Sequence, residues 1–382
     1  MIELSTDSKI LYQRIHTAKK LLKDSADLEE KIALYNYIEN VYKYISIVDN
    51  KDFCNSKKHI FGGLKNYKKY INKNFLYEDE MVDNFILNKD YISKYLKNIV
   101  KGVDDLTPDV IESDIKIYQE LNVKDFNDIF YQFMSSINLE DFFDNYSNNN
   151  SFFNYRFRND KVYGATLYNP VNGDTDILIG DFIYDINALF ALTHETGHMF
   201  DMKYFNKDIK SYNNYFYKSF YNEVCSKLFE RLFFNFMINN DILKEEAKVL
   251  LFNTIDDNYW FVFGCYMMSC LSDDLIISDE YSELSPEEIY NNVKKYFDYE
   301  VVSFLEEKEP FNLQDDFSYA FGDIISMFLF DSINEYGFNN DLINKFIDER
   351  DKMFRKEFLE ENGLSSDNYI ELYKKELKLL RK

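Results

Sequence analysis

The chain has 382 residues, with 67 acidic against 44 basic side chains and a net charge of −23 at pH 7. That length supplies a core for one large or two ordinary domains. The negative excess argues against nucleic acid and anionic membranes as partners, since both would be repelled.

From the start, Met1 to Asp7 carries neither a basic n-region nor an apolar h-region, so no export signal is expected and the protein reads as cytoplasmic. Up to about residue 145 the pattern is helix after helix. Ile10, Leu11, Ile15, Ala18, Leu21 and Leu22 recur at helical spacing, as do Ile32, Leu34, Tyr35, Ile38, Val41 and Tyr42. Thr107-Pro108-Asp109 reads as a helix start, Thr as N-cap and Pro in the first turn. His16 and His59 have no second ligand nearby and read as ordinary surface or packing residues. The polar run Asn145 to Ser151 is the softest boundary, dividing the chain into an N-terminal helical region, residues 1–150, and a second region, residues 151–382.

After that boundary the period changes. Phe152 to Phe157, Lys161 to Tyr168 and Asp174 to Gly180 are short and β-prone, with Asn169-Pro170-Val171-Asn172-Gly173 as the turn between the last two. They predict a small antiparallel sheet in a mainly α protein. Gly164 within such a strand invites close approach by something else.

Next comes a run of good helix formers, Asp185 to Leu192, apolar all round, which predicts a largely buried helix. It leads into Thr193-His194-Glu195-Thr196-Gly197-His198. Two imidazoles four positions apart share one helix face, the spacing two corners of a zinc tetrahedron need, and the Glu between them can reach a metal-activated water. With only four His in the chain, chance produces this arrangement with a probability on the order of a few in a thousand. Buried imidazoles beside a carboxylate are costly unless something such as a metal satisfies them. Gly197, at a cost of about 1 kcal/mol relative to Ala, fits a second element approaching between the two His.

Twenty-five residues beyond His198 lies Glu223, in a helical stretch with Glu230 seven positions on and on the same face. His-Glu-x-Gly-His followed by Glu223-x-x-Ser226-x-x-x-Glu230 resembles the M3 family of zinc metallopeptidases, the thimet oligopeptidase and oligoendopeptidase F group. Tyr163-Gly164-Ala165-Thr166 and Asp176 to Gly180 are similar to that family's paired strands before the zinc helix. The likeness covers about residues 150 to 235 well, the C-terminal third weakly and the first 150 hardly at all.

The resemblance implies a multi-helical zincin-type metallopeptidase with one Zn2+ per chain, Glu223 as the third ligand beside His194 and His198, and residues 151–382 as the catalytic region. It also implies a strand at Gly164 and Ala165 that binds an extended peptide by β-strand addition. Tyr319-Ala320-Phe321-Gly322 resembles the family's segment of tyrosines that hydrogen-bond the tetrahedral intermediate, which makes Tyr319 a candidate. The family's His shortly before those tyrosines is missing, since no His follows His198, and Asp201 stands where another family His is often found. Glu230 or Asp201 is placed to orient a ligand imidazole.

Three ligands leave a fourth zinc position for water, whose pKa the metal lowers toward about 7. Glu195 then acts as general base, returning the proton to the leaving amine. The expected activity is a zinc endopeptidase acting on short unstructured peptides, with residues 1 to about 145 walling one side of a cleft. Two alternatives stand beside it. One is a catalytically silent peptide-binding helical protein derived from such a peptidase, suggested by the missing His and a chain shorter than typical members. The other is a different gluzincin-type zinc hydrolase. Cys54, Cys225, Cys265 and Cys270 form no Cys-x-x-Cys pair and read as reduced thiols. Tyr259 to Leu271, the longest apolar run, is too short to span a bilayer and reads as a core helix. Oligomeric state and peptide specificity are not legible.

Overall fold

The computed structural model describes residues 4–5, 9–48, 77–104, 106, 120–142, 151–155, 164–180, 183–204, 223–297, 313–338, 340–348 and 355–382. The expected helix start at Thr107-Pro108, His59, Cys54, residues 145–150 and residues 161–163 lie outside them. In chain order the elements begin with β1 (Leu4–Ser5), α1 (Lys9–Asp24), α2 (Leu28–Val48), α3 (Tyr77–Asp104), α4 (Val123–Ser136), β2 (Ser151–Tyr155), β3 (Gly164–Tyr168) and β4 (Thr175–Gly180). Then follow α5 (Ile186–Tyr204), α6 (Glu223–Asn239), α7 (Lys244–Ser269), α8 (Asp273–Ile277), α9 (Pro286–Val293), α10 (Leu313–Tyr336), α11 (Asn340–Asp348), α12 (Lys356–Glu361) and α13 (Ser366–Leu380). Among the described residues the fold is mainly α with one small sheet. Among the described residues no helix is long and apolar enough to cross a membrane.

The chain forms two compact units that interleave: residues 1–76 with 115–217, and residues 77–114 with 218–382. The sequence reading divides the chain once, near residue 150.

In the first unit, Leu11, Ile15 and Ala18 recur at i, i+4 and i+7 on α1 and meet Leu34, Tyr37, Ile38, Val41 and Ile45 of α2. This helical pair covers one face of the sheet through Leu167 and Leu178. Arg14 of α1 ties it down electrostatically, its Nη1 lying 2.9 Å from Asp174 and its Nε 3.2 Å from the fully buried Asp176. Successive strand residues point to opposite faces. Gly164 and Thr166 therefore turn away from α1 and α2, toward α5, which packs on β3 and β4. Near the start of α5, the Leu121 N–H donates to Tyr184 O at 2.6 Å and Phe126 of α4 meets the Tyr184 ring edge-on at 5.3 Å.

The expected antiparallel pairing holds for β3 with β4, joined by the 169–173 turn in which Gly173 has φ +76°. The sheet as a whole corrects the expectation: its order is β1-β2-β4-β3, and β2 runs parallel to both β4 and β1. The reason is topological. In a three-strand meander β2 would pair with β3 and run opposite to it; here β2 pairs with the far member of the hairpin, and two reversals make that strand parallel. β3 is thereby left at an end of the sheet.

In the second unit α10 is the central helix, packed against α6 and α7, while α3 packs on α7 and α13. Phe317, Ala320, Phe321, Ile324, Ile325 and Leu329 of α10 are fully buried. The apolar run from Tyr259 lies in α7, as expected, and α9 opens with the capping box Ser285/Glu288 behind Pro286. One guanidinium is buried deep in this unit. Arg231 of α6 donates to Asp323 of α10 at 2.5 Å and to Ser326 at 2.8 Å, and its Nε lies 3.1 Å from Glu376 of α13. Asp323 also accepts from Asn258 at 2.6 Å and from the Tyr369 hydroxyl at 2.7 Å.

Candidate functional site

Helix α5 starts where Asp185 accepts the N–H of Ala188 at 2.9 Å, satisfying a donor that the helix end leaves open. Its interior carries polar residues in a buried setting, and the threonines are absorbed locally. The Thr193 hydroxyl donates to Leu189 O at 2.8 Å and that of Thr196 to Leu192 O at 2.6 Å. His194 and His198, both half-buried, meet edge-on one turn apart with ring planes at 80° and Nε2 atoms 3.1 Å apart. Two Zn–N bonds of about 2.0–2.1 Å at a tetrahedral angle put donor nitrogens about 3.3 Å apart, so the pair at 3.1 Å lies within about 0.2 Å of the edge length a zinc ion requires.

Glu195, only 5% exposed, points to the sheet. The Thr166 hydroxyl lies 2.8 Å from Glu195 Oε2 and 2.9 Å from the Glu195 main-chain oxygen. The close approach expected at Gly164 is made by this carboxylate: a Cβ at Gly164 would stand 2.5 Å from Glu195 Oε1 and 2.8 Å from its Cγ. On α2, burial pushes the Tyr44 hydroxyl pKa well up, and the negative charge of Glu195 adds to the shift. Ala165, 8% exposed, takes the other face of β3, and Asp201 is buried on α5. His16 is exposed on α1.

In the second unit Glu223 is the first residue of α6 and is 8% exposed. The Ser226 hydroxyl donates to its Oε2 at 2.7 Å, fixing one carboxylate oxygen. Gly322 of α10 lets that helix close on the same point, because a Cβ there would lie 2.6 Å from Glu223 Cβ and 2.9 Å from its carbonyl carbon. Glu230 is buried and accepts from Lys227 at 3.2 Å. The Tyr319 ring stacks on Phe261 at 4.6 Å and 15°, with the Lys227 ammonium 5.3 Å from its centroid.

Sequence reasoning passed over Thr166 and Gly322. Thr166 had a signal, since it stands two residues from Gly164 and so shares its strand face. Gly322 had only its position inside a helical run. In comparison with known proteins, no family model, no curated protein and no solved structure matches the chain.

Proposed function

We propose that this protein is a zinc hydrolase in which His194, His198 and Glu223 hold one Zn2+. More particularly, we propose an oligopeptidase similar to the M3 metallopeptidases that cleaves short unstructured peptides. The observation that carries the reading is the pair of imidazole nitrogens 3.1 Å apart on a buried helix with Glu195 between them in sequence.

The donor set suits the ion. Two imidazoles and one carboxylate, each offering one ligand atom, are the hard and borderline donors of hydrolytic zinc sites, and three protein ligands leave room for reactants. When bound, zinc supplies a Lewis acid that acidifies water and polarises a carbonyl. The rest falls to the chain. Glu195 accepts a proton from the attacking water and delivers it to the leaving amine, which needs a carboxylate rather than an amide. Tyr319 offers a hydroxyl to the developing oxyanion. Gly164 and Ala165 lie on a strand at the end of its sheet, where an extended peptide adds by backbone hydrogen bonds. Glu230 and Asp201 are buried acids suited to orienting a ligand imidazole.

The test joins metal analysis to turnover of quenched fluorescent peptides. The expected result is one zinc per chain, activity abolished by chelation and restored by zinc, and loss of zinc affinity in Glu223→Ala. Full occupancy and affinity in Glu223→Ala would show the ligand assignment to be wrong. A zinc-loaded protein that binds peptides without cutting them would instead favour a silent binder.

A further inference from the structure

A general base works only when its oxygen is held where the proton will be, and a Glu side chain with three rotatable bonds does not hold itself there. Strand β3 supplies what the side chain lacks. Thr166 has one hydroxyl proton and sits within hydrogen-bond distance of two acceptors on the same residue, Glu195 Oε2 at 2.8 Å and the Glu195 main-chain oxygen at 2.9 Å. A donor shared this way registers the carboxylate against its own helix backbone. Two residues earlier on the same strand face, Gly164 provides the space. Its missing Cβ would come within 2.5 Å of Oε1, 2.8 Å of Cγ and 3.0 Å of Cδ, so any side chain there expels the carboxylate from its seat. The two oxygens thus differ: Oε2 carries the Thr166 hydrogen bond, and Oε1 lies over the bare Cα of Gly164.

The geometry points to Thr166 and Gly164 as positioning residues for Glu195, with Oε1 the oxygen that exchanges the proton; this rests on the hydrolase reading above. Oε1 takes a proton from water as the oxygen bonds to the scissile carbonyl carbon, and gives that proton to the departing amine nitrogen as the C–N bond breaks and the carbonyl re-forms. Through both steps Oε2 remains an acceptor for Thr166, as one half of a carboxylate and then as the carbonyl of the acid. The bare Cα of Gly164 accordingly serves the base, while the strand's in-plane backbone groups remain those offered to an extended peptide.

Two measurements on the full chain decide it. In the zinc-loaded protein, Thr166→Val should lower kcat on the order of 10- to 100-fold, the range a misplaced reacting group produces. KM for a quenched peptide and zinc content should stay near wild type, and Thr166→Ser should recover most of the loss. Gly164→Ala should lower kcat at least as far. In the chelated, metal-free protein, a cycle of Thr166→Val and Glu195→Ala in urea unfolding should show coupling of about tenfold in the unfolding constant, as for a hydrogen bond to a charged group. If Thr166→Val does not fold, Thr166→Ala serves for both. Unchanged kcat in the Thr166 variants, or no coupling in the cycle, overturns the inference. A Gly164→Ala effect confined to KM overturns its Gly164 half and returns that residue to peptide binding. Near-normal turnover in Glu195→Gln, or no hydrolysis by the wild type, sinks the hydrolase reading instead, and the metal-free cycle still reports whether Thr166 holds Glu195.

Discussion

Replacing Gly322 by Ala separates an ordinary helical glycine from one that a neighbour requires. In an unconstrained helix the change stabilises by about 1 kcal/mol, because Ala has the higher propensity. Here the new Cβ meets Glu223 Cβ at 2.6 Å and its carbonyl carbon at 2.9 Å, against about 3.4 Å for ordinary contact. The atoms it strikes include main chain at the first turn of α6, so relief requires α6 and α10 to part by about 0.8 Å. Overpacking of this kind costs about 1–3 kcal/mol. Set against the propensity gain, the net expectation is a loss of about 1 kcal/mol in urea unfolding. A second reading comes from the metal. In the zinc site proposed above Glu223 is the ligand displaced, and disturbing the support of such a ligand typically lowers affinity about 10- to 100-fold, which competition with a chromophoric zinc chelator measures. A variant more stable than wild type with unaltered zinc affinity would refute the close approach and the role drawn from it.

Two further outcomes concern the buried guanidinium. Asp323→Ala leaves Arg231 with a fully desolvated charge short of its closest partner, and should cost about 3–5 kcal/mol; a loss under 1 kcal/mol in chemical denaturation would contradict the network. Glu376 gives a pH signature: burial raises its pKa, and although Arg231 pulls the other way, Asp323 adds to the rise. A folded-state pKa above the unfolded one means stability present below the ordinary carboxylate range and lost as pH climbs through the folded value. Glu376→Gln should therefore gain on wild type as pH rises from about 4 toward 7, and a gap that narrows over that window would show that Arg231, not burial, controls the group.

Local signals were legible where the physics is local. The stripes of α1 and α2, the turn closed by Gly173 and the helical frame of His194 and His198 all depend on residues within a few positions of each other. What failed to show was partnership. The β-prone residues Phe152 to Phe157 identify a strand but say nothing of which strand it will join, so the parallel pairing with β4 was missed. α3 reads like its helical neighbours in sequence, yet its partners are α7 and α13, far along the chain. Arg231 and Asp323 are 92 positions apart, and neither looks unusual among so many charged residues. At the site, the spacing of the two imidazoles was read directly, whereas Thr166, a β-branched residue suited to a strand, carried only its shared face with Gly164 as a signal.

The interleaving of the two units also has a consequence at the ribosome. Helix α3 is made early, but α13, against which it packs, ends at Leu380. At ordinary elongation rates α3 waits on the order of tens of seconds for that partner. Until α7 and then α13 emerge, the face of α3 carrying Phe85, Ile92, Leu96 and Ile99, all 1% exposed or less in the finished fold, lacks its later-made partners. Nascent chains of this protein therefore offer a long-lived apolar helix to holding chaperones, and truncation before α13 leaves that helix permanently without one of its partners.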